Sequence, residues 1–141
     1  MSAEEVRAFL EQERTLICAS LGHDGWPHLM PLWYVLRNGE CWAWTYAKSQ
    51  KVRNLERDSR CTLQVEAGES YFELRGVMIK AACAIHRDLD VVLGVGNELA
   101  ARYGGGGVDP AHAAKRTATR FWACAFSASR ASPWSESIPS A

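Results

Sequence analysis

Lys48-Ser49-Gln50-Lys51 is the stretch whose residue types and spacing could do chemistry. It joins a strand-like run, Trp42 to Tyr46, to a helical one beginning at Gln50. Ser49 stands where a helix N-cap belongs, flanked by Lys48 and Lys51. The first turn of a helix leaves backbone N–H groups unpaired, and its macrodipole favours negative charge. A phosphate or carboxylate fits such a corner, and the acidic tail of a cofactor is the natural occupant. The plainer alternative is a Ser cap followed by basic residues on a solvated helix face.

Other chemistries find less support. Neither a CxxC pair nor a His cluster supplies metal-ligand spacing, since His23, His28, His86 and His112 are scattered. Ser20, Asp24 and His28 lie close in sequence but in no context that makes a triad. Lys plus Arg equals Asp plus Glu at 16 each, so no net field invites nucleic acid or an anionic membrane. No run of about 18 apolar residues is present to span a bilayer. The acidic start, Met1 to Glu5, lacks the features of a signal peptide. Five cysteines, each in a strand-like run without a close cysteine neighbour, read as small buried hydrophobes in a reducing compartment. A cytoplasmic protein is expected, its 141 residues forming one domain.

The elements that must position the corner follow from periodicity. Val6, Phe9 and Leu10 recur at helical spacing and predict an opening helix to about Glu13. Thr15–Leu21 reads as a strand, Gly22–Gly25 as a turn, and Trp26–Leu36 as a second strand. Pro27 and Pro31 make that strand an edge or bulge it near Pro31. Asn38-Gly39 predicts a type I′ hairpin and a returning strand, Glu40–Tyr46, which makes Trp33 and Trp44 candidate cross-strand neighbours. The helix after Ser49 turns Val52 and Leu55 inward, and Arg60–Glu66 alternates as a half-buried strand. Tyr71–Ile85 reads as one long strand whose parity changes at Gly76, as a bulge produces.

Asp88 predicts a helix cap, with the helix running to about Tyr103. Gly94 and Gly96 mark a kink or a close backbone approach in it. Gly104–Gly107 is a loop and not a phosphate cradle. Thr117–Phe126 is the last convincing strand, and the Ser-, Ala- and Pro-rich residues 127–141 read as an irregular tail that Trp134 could anchor. Six strands with few tolerable edges predict a mainly β, small antiparallel barrel with helices over its openings. The six Trp, four Tyr and four Phe exceed what packing needs and fit either dimerisation or ring binding.

Pro27-His28-Leu29-Met30-Pro31-Leu32-Trp33-Tyr34, the Asn38-Gly39 hairpin and Thr45-Tyr46-Ala47-Lys48-Ser49-Gln50-Lys51-Val52-Arg53-Asn54-Leu55 resemble the pyridoxamine-phosphate-oxidase-like split barrels. The closer likeness is to the flavin/deazaflavin oxidoreductase branch that includes the F420-dependent reductases. The resemblance implies a six-stranded split β-barrel with flanking helices, a homodimer, and two cofactor sites in the grooves between subunits. Thr45, Ser49, Gln50 and Lys51 match the segment that grips the cofactor phosphate. His28, Met30, Pro31, Leu32 and Trp33 would lie along the ring, with Tyr46, Lys48 and Asn54 completing the cofactor-binding set. FMN-dependent oxidases usually carry a basic residue at the position of His28 and a lysine at that of Trp33. This departure is compatible with coenzyme F420, and FMN is the alternative.

The implied activity is hydride transfer between reduced F420 and an apolar or conjugated small-molecule acceptor. An FMN-dependent oxidase or reductase is the second reading, and a module that binds flavin, deazaflavin or haem without turnover is the third. No catalytic residue is assigned. Trp33, Trp44 and Tyr46 serve equally well as core or dimer aromatics, His28 as a surface histidine, and Asn54 as a residue that fixes its own helix.

Overall fold

The computed structural model describes residues 1–104 and 120–133. Its elements run α1 (Ala3–Gln12), β1 (Thr15–Leu21), β2 (Pro27–Arg37), β3 (Glu40–Tyr46), α2 (Gln50–Arg57), β4 (Arg60–Ala67), β5 (Arg75–His86), α3 (Leu89–Tyr103) and β6 (Phe121–Pro133). The six strands close into an antiparallel barrel in the order β1-β2-β3-β6-β5-β4. Asn38 (φ 51°) and Gly39 (φ 78°) make the predicted hairpin turn between β2 and β3.

Alternation along the strands builds the core. Leu16 and Cys18 of β1, Leu32 and Tyr34 of β2, Leu63 and Val65 of β4, and Val77 and Ile79 of β5 are buried in one cluster. Each such large apolar side chain contributes about 1.5–3 kcal/mol relative to exposure. Ser2 begins α1 with a reciprocal capping box to Glu5. A second cluster lies under α3, where Val92, Val95 and Leu99 meet Val35 and Ala123. Asp88 caps α3 as predicted, accepting from the N–H groups of Asp90 and Val91. The Trp44 indole donates to the Val92 carbonyl at 2.8 Å, and Gly96 is the close approach: a Cβ there would lie 2.0 Å from Trp44 Cζ2.

The predicted bulge at Gly76 is not where the irregularity lies. Tyr71–Glu73 is a 3-10 turn, and the β4–β5 ladder runs unbroken from Ala67↔Arg75 to Arg60↔Ala82. The Ser70–Glu73 capping box closes that turn, so the change of parity comes from a turn preceding the strand. Gly76 is needed for space instead, since a Cβ would stand 2.9 Å from the Val65 carbonyl. The register shift of β5 falls at Lys80/Ala81, against β6.

Residues 127–133, which composition marks as an irregular tail, extend β6 to Pro133 and pair with Val77–Ala82 of β5. Small Ser and Ala residues carry little hydrophobic signal, and it is the neighbouring strand that makes them a strand. The predicted start of this strand at Thr117–Thr119, most of the Gly104–Gly107 loop and Trp134 lie outside the described residues.

β2 divides along its length. Pro27–Trp33 pair only with β1, whereas Tyr34–Arg37 pair with Glu40–Ala43 of β3. Beyond Ala43, residues Trp44–Tyr46 pair with β6 alone. The barrel therefore splits between the first half of β2 and the end of β3. The prolines sit on this one-sided half, where a missing N–H costs no β3 ladder bond. The β1 register through Pro31 is continuous, so the expected bulge there is absent. Trp33 and Trp44 do not pair across strands, because the ladder ends at Tyr34↔Ala43.

Candidate functional site

Ser49 is the N-cap of α2, with φ −70° and ψ 154°, and its hydroxyl accepts from the Val52 N–H at 3.3 Å. That hydroxyl also lies 3.2 Å from Thr45 Oγ1. Lys51 Nζ donates to the same Thr45 oxygen at 3.1 Å. The three residues form one chain at the junction of β3 and α2. Thr45 is 3% exposed and Lys51 only 5%. Lys51 thus turns inward, and Lys48 is the lysine that faces solvent.

Burial holds the Lys51 amine below its ordinary range, partly offset by the thiols of Cys18, Cys124 and Cys83. Cys18 is drawn below the usual thiol range by a hydrogen bond from Cys61 and by the charge of Lys51, against its own burial. All five cysteines are free and buried, as their strand positions imply.

Asn54 anchors the other side of α2. It is fully buried, donates to Ser20 Oγ at 3.2 Å, and accepts from Gln50 Nε2 at 2.9 Å and Arg57 Nη2 at 3.3 Å. Its carbonyl and one amide N–H are engaged within the protein, so it holds the helix against β1. Gln50 is exposed and engaged with Asn54. Ser20, which the sequence offers only as a triad member without context, is part of this network, on the face it shares with the inward Leu16 and Cys18.

His28 faces Ser20 across the β1–β2 ladder. Its Nδ1 is buried without a hydrogen-bond partner among the described residues. Such an atom has unspent capacity that a ligand can meet. Further along β2, Leu32 is buried, while Met30, Pro31 and Trp33 are exposed beside the split. Tyr46, exposed on the opposite lip, stacks on Phe121 at 4.4 Å.

The donors present fit an anionic cofactor tail. Lys51 has three N–H bonds, of which Thr45 takes one, and no carboxylate hydrogen-bonds to Lys51, Thr45 or Ser49 among the described residues. Among the same residues, no group of three or more His, Cys, Asp or Glu is placed to hold a metal. No described helix is long and apolar enough to cross a membrane.

Comparison with known proteins agrees with this architecture. A conserved hypothetical protein from Mycobacterium tuberculosis is similar in structure with a TM-score of 0.87 and 32% identity, covering 100% of this chain and 91% of its own. An F420 reductase matches with a TM-score of 0.75 and 17% identity, over 93% of this chain and 98% of its own. The heme storage protein HutZ from Vibrio cholerae matches with a TM-score of 0.73 and 16% identity, over 91% of this chain and 90% of its own. At those two identities the likeness is one of fold. No curated protein matches the sequence. Residues 2–131 match the family model described as pyridoxamine 5'-phosphate oxidase, and with the split six-stranded barrel this establishes that the chain belongs to that family.

Proposed function

We propose that the protein is an oxidoreductase that moves a hydride between reduced coenzyme F420 and an apolar or conjugated small-molecule acceptor. The observation that carries this reading is the Lys51–Thr45–Ser49 chain, a buried cation and two hydroxyls at a helix N-terminus on one lip of the split. Lys51 would pair with the anionic tail, Ser49 and Thr45 would hydrogen-bond it, and the first turn of α2 would add its dipole. The unpartnered Nδ1 of His28 would meet a polar group on the opposite lip. Bound F420 or FMN supplies the hydride chemistry, and the protein's share is to hold, orient and shield.

The one-sided half of β2 favours a homodimer. Leu29, Met30 and Trp33, with Trp26 beside the strand, are large exposed apolar side chains, and Tyr46 adds to them across the split. A second copy would cover such a surface and complete the wall of each cofactor site. Five unpaired buried thiols fit a cytoplasmic setting.

FMN is the alternative cofactor, since the anion donors do not discriminate between the two tails. Titration of the purified protein with F420 and with FMN, followed by fluorescence and then by turnover with a panel of enones and quinones, tests the assignment. Tighter F420 binding with hydride transfer is expected. Preference for FMN refutes the choice of F420. Tight binding without turnover replaces the enzyme by a binding or sequestering protein, and the same applies if haem is the ligand retained.

A further inference from the structure

Trp33 does more than remain exposed. Its indole is parallel-stacked on Tyr103, with ring centroids 4.5 Å apart and an interplanar angle of 6°. Tyr103 is itself fixed. Its hydroxyl accepts from the Tyr34 N–H at 3.1 Å, and the hydroxyl oxygen stands 2.7 Å from the carbonyl oxygens of both Arg14 and Tyr34, either of which can take its proton. Guanidinium groups flank the ring, Arg102 at 5.2 Å and Arg14 at 5.6 Å from its centroid. Arg102 is tied in turn to the carbonyls of Tyr34, Leu10, Glu11 and Glu13. The last turn of α3 therefore presents a rigid backing for one face of Trp33, while the side chain as a whole stays 58% exposed.

The position of this stack gives it a use. Had the β2–β3 ladder continued past Tyr34↔Ala43, Leu32 would face Thr45 and Pro31 would face Tyr46. The anion-binding corner at Thr45 and the Trp33 stack therefore stand on the two lips of one opening, a residue apart in register. On the far lip, Tyr46 and Trp44 both stack on Phe121. An opening with aromatic stacks on both sides and a cation at its end suits a planar ring carrying an anionic tail.

We propose that Trp33 is the ring platform of this site: a planar tricyclic ring lies against the open face of its indole, and Tyr103 is the positioning residue that sets the indole's angle. The assignment rests on the cofactor reading above. It accounts for tryptophan at a position where a hydrogen-bonding side chain would bind only the ring edge. Stacking addresses the face of the ring and leaves its edge free.

Calorimetric titration with FMN and with riboflavin, which shares the ring but lacks the phosphate, tests the platform. Trp33→Leu is expected to weaken both ligands by a similar factor, about three- to tenfold, and to remove the long-wavelength absorbance of a stacked indole–flavin pair. Trp33→Phe restores part of the affinity, and Phe72→Leu, at an exposed aromatic in the 3-10 turn between β4 and β5, changes neither ligand. Lys51→Met weakens FMN alone.

Unchanged affinities in Trp33→Leu overturn the platform while leaving the cofactor reading in place. Binding that depends on Trp33 but shows no preference for FMN over riboflavin keeps the platform and overturns the anion corner. If wild-type protein binds neither ring, both readings fall. Should Trp33→Leu dissociate an oligomer with affinity per chain unaltered, the indole is an interface side chain and the platform is overturned.

Discussion

Replacing Lys51 by Met separates folding from function at one residue. Lys51 is 5% exposed, and its ammonium makes one hydrogen bond among the described residues, to Thr45. Removing it leaves no orphan, because Thr45 Oγ1 still has Ser49 Oγ at 3.2 Å. Burial lowers the amine's affinity for protons in the native state relative to its ordinary value of 10.5. The native state therefore carries a penalty that is fully present below the lowered value and fades as pH rises towards 10.5. Exchange of a buried charge for an apolar side chain of similar length is neutral or stabilising, by up to about 2 kcal/mol here. That corresponds to a rise in Tm of up to about 6 °C at neutral pH. The same change removes two unused N–H donors and the charge from the anion corner. A charge-assisted hydrogen bond is worth about 1.5–3 kcal/mol, so the affinity for F420 or FMN should fall about 10- to 150-fold. Differential scanning calorimetry and ligand titration on the same samples read both effects. A fall in Tm of more than about 5 °C with unchanged affinity would refute the reasoning, for Lys51 would then be a structural residue.

Further outcomes follow from other contacts. Affinity for the anionic tail should decline as pH is raised through the lowered range of the Lys51 amine, because the neutral amine loses its charge; riboflavin affinity should stay flat over the same titration. Asn54→Leu leaves Ser20, Gln50 and Arg57 without the partner they share, and chemical denaturation should show a loss of about 2–4 kcal/mol. Gly96→Ala drives a methyl group into the Trp44 indole; a loss of about 1–3 kcal/mol and a changed near-UV circular dichroism spectrum are expected. Ser2→Ala removes the capping box of α1 and should cost about 1 kcal/mol in thermal unfolding.

The fold could be read from the sequence wherever local chemistry dictates local geometry. Asn38-Gly39 requires positive φ, and both residues have it. Ser49 and Asp88 offer side-chain acceptors at the right step before a helix, and both are caps. The misreadings arise where a partner strand decides. Residues 127–133 have little apolar character, and their pairing with β5 across the barrel is non-local. Likewise Gly76 signals a special position, but whether that means a bulge or a close approach depends on the Val65 carbonyl of the adjacent strand.

The candidate site shows the same division more sharply. Its cap and its basic residues are written in consecutive positions, so the corner itself could be placed from sequence. The direction of Lys51 could not, because helical periodicity fixes which face a residue occupies but not whether a long side chain bends inward. It bends inward here to donate to Thr45 at the end of β3, close enough to Cys18, Cys124 and Cys83 to be influenced by them electrostatically. The aromatic stack lay further out of reach: Trp33 and Tyr103 are brought together only when α3 crosses β2, and the hydroxyl bonds that fix Tyr103 end on the backbone of Arg14 and Tyr34. A proposed site divided between a local corner and a long-range wall reveals the corner proposed for the anion in the sequence and the wall proposed for the ring only in the folded chain.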